Sequence, residues 1–178
     1  MKTLDNYITE RLKLSSKSNT HTCQPKDKDE LRKILEERLN KNKNVDLNDI
    51  DVSEITNMDH LFKDLNPHNI KIDQWNVSNV TYMDFMFFGC MHFDCDLSNW
   101  DVSNVEDMNF MFTSCTHFKG KGLENWNVSK VKDITYMFYK CANFDCNLDN
   151  WDTSNVTDMD LMFHNCYSLK NKPRWYNK

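Results

Sequence analysis

The sequence predicts an α/β repeat fold: a solenoid of about five 25-residue coils, each a strand followed by a short helix, with a helical cap at the N-terminus. Three observations lead there. Trp75, Trp100, Trp126 and Trp151 recur at steps of 25, 26 and 25, nearly the same string surrounds each of them, and within each copy the apolar spacing changes from alternation to three-and-four. A unit of this length cannot bury its own apolar face, so neighbouring units must stack into one continuous core.

Taken in chain order, residues 1–22 form an N-terminal segment and polar hinge. The segment is weakly amphipathic through Leu4, Tyr7, Ile8 and Leu12, and Ser15 to Thr22 reads S-S-K-S-N-T-H-T. Residues 23–46 are the expected cap. Leu31, Ile34, Leu35 and Leu39 lie at offsets 0, 3, 4 and 8 behind Pro25 and the acidic residues Asp27, Asp29 and Glu30, which predicts an amphipathic helix from about 27 to 40. Its task would be to cover the first coil, whose apolar surface and strand edges are otherwise open.

Residues 47–178 carry the repeats and a C-terminal cap. A degenerate copy starts at Ile50, where I-D-V-S-E-I-T-N-M-D-H-L-F has Ile in place of Trp and no closing Cys. Full copies follow, such as W-N-V-S-N-V-T-Y-M-D-F-M-F-F-G-C from Trp75 and W-D-V-S-N-V-E-D-M-N-F-M-F-T-S-C from Trp100. In the latter unit Leu97, Trp100 and Val102 suggest a strand. Val105, Met108, Met111, Phe112 and Cys115, at offsets 0, 3, 6, 7 and 10, suggest a short helix capped by Ser103 or Asn104, with Asp107 near its N-terminus. Phe93, Phe118 and Phe144 anchor the return segments. Pro173 stands where another strand would begin, and Trp175 and Tyr176 are placed to fold over the last coil.

Composition narrows the function classes. With 22 Lys and Arg against 27 Asp and Glu, the 178-residue chain has a net charge of -5, which offers no basic field for nucleic acid. Three Gly and three Pro leave little material for a phosphate-cradling loop. No apolar run is long enough to span a membrane, and the N-terminus lacks a secretory hydrophobic region, so the expected location is intracellular or virion-associated. Seven cysteines, an odd number, are expected as reduced thiols. No Ser-His-Asp, paired-carboxylate or P-loop constellation stands out, so neither an enzyme nor a cofactor is expected.

The strand-like strings I-D-Q-W-N-V, L-S-N-W-D-V, L-E-N-W-N-V and L-D-N-W-D-T resemble leucine-rich repeats. The longer unit, W-D-V-S-N-V followed by M-x-x-M-F-x-x-C-x-x-F, resembles the BspA-like leucine-rich repeat, also described as the Mycoplasma-type lipoprotein repeat of unknown function, over about residues 47–176. That resemblance implies a right-handed solenoid with a parallel sheet on one face and short helices on the other. It also implies binding or adhesion by a surface protein, although no signal peptide or lipobox cysteine precedes the repeats. The first ten residues, through Met1, Lys2, Ile8, Thr9 and Glu10, are similar to the capsid-targeting peptides of tailed phages. This implies a second reading, a packaged or decorating virion protein cut after Glu10.

Candidate chemistry is carried by columns of repeated residues. Cys90, Cys115, Cys141 and Cys166 fit a column of small buried residues, and Cys90-Met-His92-Phe-Asp-Cys95 has the outline of a metal clip without a C-x-x-C pair, so no metal is expected. The columns Asp51, Asn76, Asp101, Asn127, Asp152 and Ser53, Ser78, Ser103, Ser129, Ser154 have two readings: a calcium or sugar site, or ladders bonding one coil to the next. His60, Phe85, Phe110, Tyr136 and Leu161 would lie opposite the buried helix face, flanked by Phe88 and Tyr139. They form either an exposed aromatic stripe for a protein partner or, if the helices are partly 3-10, a buried one. Phe85, Phe110, Tyr136, Phe88 and Tyr139 are the candidate protein-binding residues, for a partner of unknown identity. The sequence leaves the oligomeric state open.

Overall fold

The computed structural model describes residues 21–177. Parallel bridges join Asn57 to Tyr82, Tyr82 to Asp107, Asp107 to Asp133 and Asp133 to Asp158, so equivalent residues of consecutive repeats lie side by side. Each bridge is isolated. Among the described residues there is no sheet, and the regular elements are one α-helix, α1 (Lys28–Lys41), and two 3-10 turns, Leu123–Asn125 and Arg174–Asn177. The α/β solenoid of strand-plus-helix coils with a separate helical cap is therefore not the architecture of this chain. The strand expected across Leu97 to Val102 and the helix expected across Val105 to Cys115 are both runs of turns.

Backbone geometry explains the difference. Met111 N–H donates to Met108 O (3.3 Å), Thr113 to Phe110 (3.1 Å), Cys115 to Phe112 (2.9 Å) and Phe118 to Cys115 (3.1 Å). Consecutive turns of this kind return apolar side chains to the core every third residue, which reproduces the offsets of a short helix. Helix propagation is blocked by left-handed residues inside each unit. His60, Phe85, Phe110, Tyr136 and Leu161 have φ of 59, 54, 53, 55 and 52°, and Ser114, Lys140 and Asn165 have 63, 60 and 63°. Such a conformation costs a bulky residue roughly 1–2 kcal/mol, and the stack must hold it in place.

The alternation of conformations aligns the peptide groups. The N–H groups of Met108, Phe110, Phe112 and Ser114 donate to the carbonyls of Asp133, Thr135, Met137 and Tyr139 at 3.0, 2.9, 2.9 and 2.8 Å. The carbonyls of Asp107, Asn109, Met111 and Thr113 accept from Met83, Phe85, Phe87 and Gly89 at 3.0, 3.0, 2.9 and 2.8 Å. Alternate peptide units of this segment thus point C=O toward the preceding coil and N–H toward the next. In a sheet such dipoles largely cancel; here they add along the stack, as they do along a helix.

The first coil has no preceding coil to satisfy its outward carbonyls, and α1 supplies the donor. Arg32 Nη1 donates to the carbonyls of His60 (3.1 Å), Leu61 (2.9 Å) and Lys63 (2.8 Å). The helix starts where Asp27 accepts from Glu30 N–H at 2.9 Å and ends at the extended Asn42. Its Leu31, Leu35 and Leu39 are fully buried in the same core as the coils. Arg38 fixes it sideways through a two-point pair with Asp49, at 2.5 and 2.9 Å.

Columns of large side chains fill the core. Trp75, Trp100 and Trp126 stack at 6.5 Å spacings with interplanar angles of 5 and 2°. Each indole N–H donates to a carbonyl of the coil before it, at Leu47, Ile72 and Leu97. Trp175 extends the column, stacking on Trp151 at 6.1 Å and donating to Leu148 O at 2.7 Å. The 26-residue unit holds its extra residue in the Lys119-Gly-Lys-Gly122 return. Gly122 has φ of 93°, and a Cβ there would meet Ser98 N at 2.3 Å.

Candidate functional site

The first left-handed residue of each coil projects its side chain from the side of the stack rather than into the core. His60, Phe85, Phe110 and Tyr136 consequently form a half-buried column of parallel rings: His60 to Phe85 is 4.7 Å at 11°, Phe85 to Phe110 is 4.6 Å at 8°, and Phe110 to Tyr136 is 4.8 Å at 4°. Leu161, 44% exposed, ends it. Phe88 leans on Phe85 at 5.5 Å, and Tyr139 lies 5.2 Å from Tyr136 and stacks on His164 at 5.3 Å. All five candidate residues, Phe85, Phe110, Tyr136, Phe88 and Tyr139, therefore lie on one surface. Of the two readings of this column, exposed stripe and buried stripe, the geometry is intermediate: ring faces are covered by neighbours and the column remains partly open to solvent.

Charges of both signs border the column: Asp59 and Asp84 stand 3.2 and 3.9 Å from His60 Nδ1, and two lysines lie against other rings. Lys63 Nζ lies 5.7 Å from the Phe85 ring centre and 5.5 Å from that of Phe88, and Lys140 Nζ lies 5.1 Å from that of Tyr139. The surface thus combines aromatic edges, which carry the positive end of the ring quadrupole, with ammonium groups. It suits acceptor oxygens and apolar side chains.

The other columns are occupied with the backbone. Asp101 Oδ1 accepts from Ser103 N–H at 3.1 Å, and the same turn recurs at Asp51, Asn76, Asn127 and Asp152. The Ser103 hydroxyl and N–H hold the Asp101 carboxyl below its ordinary range. Asn79, Asn104 and Asn155 bond coil to coil, donating to Ser53, Ser78 and Ser129 carbonyls at 2.8, 2.7 and 2.7 Å. The Cys90, Cys115, Cys141 and Cys166 thiols donate to the Phe62, Phe87, Phe112 and Phe138 carbonyls at 3.3, 3.0, 2.9 and 3.0 Å. Burial pushes Cys90 up to about 12 and Cys115 and Cys141 well above the ordinary thiol range. Cys90, His92 and Cys95 do not converge: Cys90 is in the core, Cys95 bonds Ile70 O, and His92 is exposed.

Sequence reading missed one column. His68, His92 and His117 pack in sequence at 4.5 and 5.0 Å, and their steps of 24 and 25 were there to be found. Residues 1–10, with the candidate cleavage point Glu10, lie outside the described residues. Among the described residues no helix is long and apolar enough to cross a membrane.

Two overlapping segments, residues 30–122 and 99–177, match the family model described as Mycoplasma protein of unknown function, DUF285. The chain belongs to this family. The match takes in most of α1 together with all the coils, so helix and repeats fall within one family region. Comparison with curated proteins and with solved structures found no match to either.

Proposed function

We propose that this family member is a non-enzymatic protein-binding or adhesion module whose contact surface is the aromatic column, with Phe85, Phe110 and Tyr136 as anchors and Phe88 and Tyr139 at the flank. The observation that carries the reading is that large side chains in every coil are held at positive φ. The positive φ turns these side chains out of the core in every coil, so a contiguous column of large apolar groups stays partly open to solvent, as contact surfaces do. A protein partner fits better than a glycan. Sugars stack on ring faces, and here the faces are covered at 4.6 to 4.8 Å. Lys63 beside Phe88 and Lys140 beside Tyr139 favour an acidic group of the partner at the flank, while Asp59 and Asp84 border the His60 end of the column.

The test compares the chain with the triple variant Phe85→Ser, Phe110→Ser, Tyr136→Ser in affinity capture from its own source, followed by titration of any stoichiometric partner. The expected result is loss of that partner with a cooperative melt retained. Equal binding by the triple variant rejects the surface.

A further inference from the structure

We propose that Asp59, His60 and Asp84 form a binding site for a divalent transition-metal ion of the class that accepts mixed imidazole and carboxylate ligands. The ligand atoms of these three residues all lie within 4.8 Å of one another. His60 Nδ1 is 3.2 Å from Asp59 Oδ2 and 3.9 Å from Asp84 Oδ2. Around a tetrahedral ion with bonds of about 2.0–2.2 Å, ligand atoms stand roughly 3.3–3.6 Å apart. A small rotation of the Asp84 carboxylate closes the remaining gap.

The three side chains are positioned from the backbone upward. Stacking on Phe85 fixes the imidazole plane of His60, and its backbone N–H donates to Asp84 O at 2.9 Å, which locks the two coils together at this point. Lys28 on α1 pairs with Oδ1 of Asp59, so the Oδ2 atom is the one turned to His60. Asp84 is the least exposed of the three, at 22% against 25% for Asp59 and 42% for His60.

This coil interface departs from the others in the residues that matter. Asp59 and Asp84 occupy one column whose next members are Asn109, Thr135 and Asp160, so adjacent carboxylates meet here and the pairs that follow avoid them. In those later coils the column residue's N–H is held by Asp107, Asp133 or Asp158, whereas Tyr82 takes that place before Asp84. His60 stands where the other coils have Phe, Tyr or Leu. Neither stacking nor turn formation asks for any of these choices. Lys28 is engaged with Asp59 Oδ1 and Arg32 with carbonyls, which leaves Asp59 Oδ2, Asp84 and the His60 ring as the groups facing one another, with Lys63 at the edge of the adjoining cavity. Imidazole selects Zn²⁺, Co²⁺, Ni²⁺ or Cu²⁺ over Ca²⁺ or Mg²⁺. A surface cavity of about 240 Å³, lined by Lys28, Arg32, Asp59, His60 and Lys63, adjoins the site, and its cations suit an anionic further ligand on the ion.

The experiment is calorimetric titration of the full chain with Zn²⁺, repeated with Co²⁺ to read ligand-field absorption. One ion per chain is expected. His60→Asn, which tolerates positive φ, and the isosteric Asp84→Asn should each weaken binding by about tenfold or more, and Zn²⁺ should raise the melting temperature of the wild type but not of Asp84→Asn. His92→Asn, in the separate His68–His92–His117 column, should bind as the wild type does. Absence of saturable binding by the wild type, undiminished affinity in both site variants, or loss of binding in His92→Asn would each overturn the proposal. None of these results bears on the aromatic column's partner, which the triple Ser variant tests.

Discussion

Arg32→Met removes a single charge and keeps the aliphatic stem, and it tests whether the aligned carbonyls of the first coil need a cation. Each hydrogen bond from a charged donor contributes about 1.5–3 kcal/mol. Three acceptors share one nitrogen, and the side chain is 28% exposed, so the three do not add. The expected cost is about 2–4 kcal/mol, read as a lower urea midpoint at unchanged slope. Arg32→Lys should recover part of it, since an ammonium can reach some of the same carbonyls. Glu36→Gln, which removes only the charge of the acceptor in the 2.7 Å bond from Arg32 Nε, should cost under about 1 kcal/mol. A loss below about 1 kcal/mol for Arg32→Met would mean that water serves these carbonyls as well as the guanidinium does, and the account of aligned peptide groups would lose its energetic content.

Trp100→Ala should cost about 3–5 kcal/mol, because the ring is 4% exposed between two other indoles and its N–H holds Ile72 O; a loss under about 1 kcal/mol in urea melts would refute the burial of that column. For pH, hydrogen bonds from Arg38 draw the Asp49 carboxyl down from 3.8 to about 2. The folded value lies below the unfolded one, so the pair's contribution is complete above about pH 4 and is lost as pH falls toward about 2. Asp49→Asn should therefore flatten the fall of melting temperature across that window, and an unchanged slope would refute the assignment.

The period, the buried columns and the membership of the ring column were legible because they depend only on which residues recur. The helix across residues 27–40 was legible too, since caps and 3.6-residue spacing act locally, and α1 spans Lys28–Lys41. The coil conformation was not. Val105, Met108, Met111 and Cys115 have helical spacing, and three-residue turns give the same spacing. The distinguishing feature is the positive φ of Phe110, at a residue type that normally avoids it. It is imposed by neighbouring coils, through bonds such as Phe110 N–H to Thr135 O. Nothing in a single unit reveals it. For the same reason the ring column was placed by a helical argument that does not apply; the left-handed turn holds it at the side of the stack, half-buried, between the exposed and the buried reading.

Repetition and departure carry different information. The thiols illustrate the first: the carbonyls of Phe87, Phe112 and Phe138 already accept a backbone N–H within their own turn and have one lone pair left inside the core. A side chain small enough for the column, weakly donating and cheap to bury is required, and Cys meets all three conditions. Every full coil faces that demand, so the residue recurs. Asp84, His60 and Tyr82 are the opposite case. Tyr82 departs from a column of Asn57, Asp107, Asp133 and Asp158, and His60 from one of Phe85, Phe110, Tyr136 and Leu161; Asp84 has counterparts in Asp59 and Asp160, and what is particular to it is that it adjoins Asp59. All three residues fall at one interface, between the first two coils, where Lys28 and Arg32 of α1 also arrive. A demand shared by every coil cannot explain a residue present in one, so the cause is local to that interface.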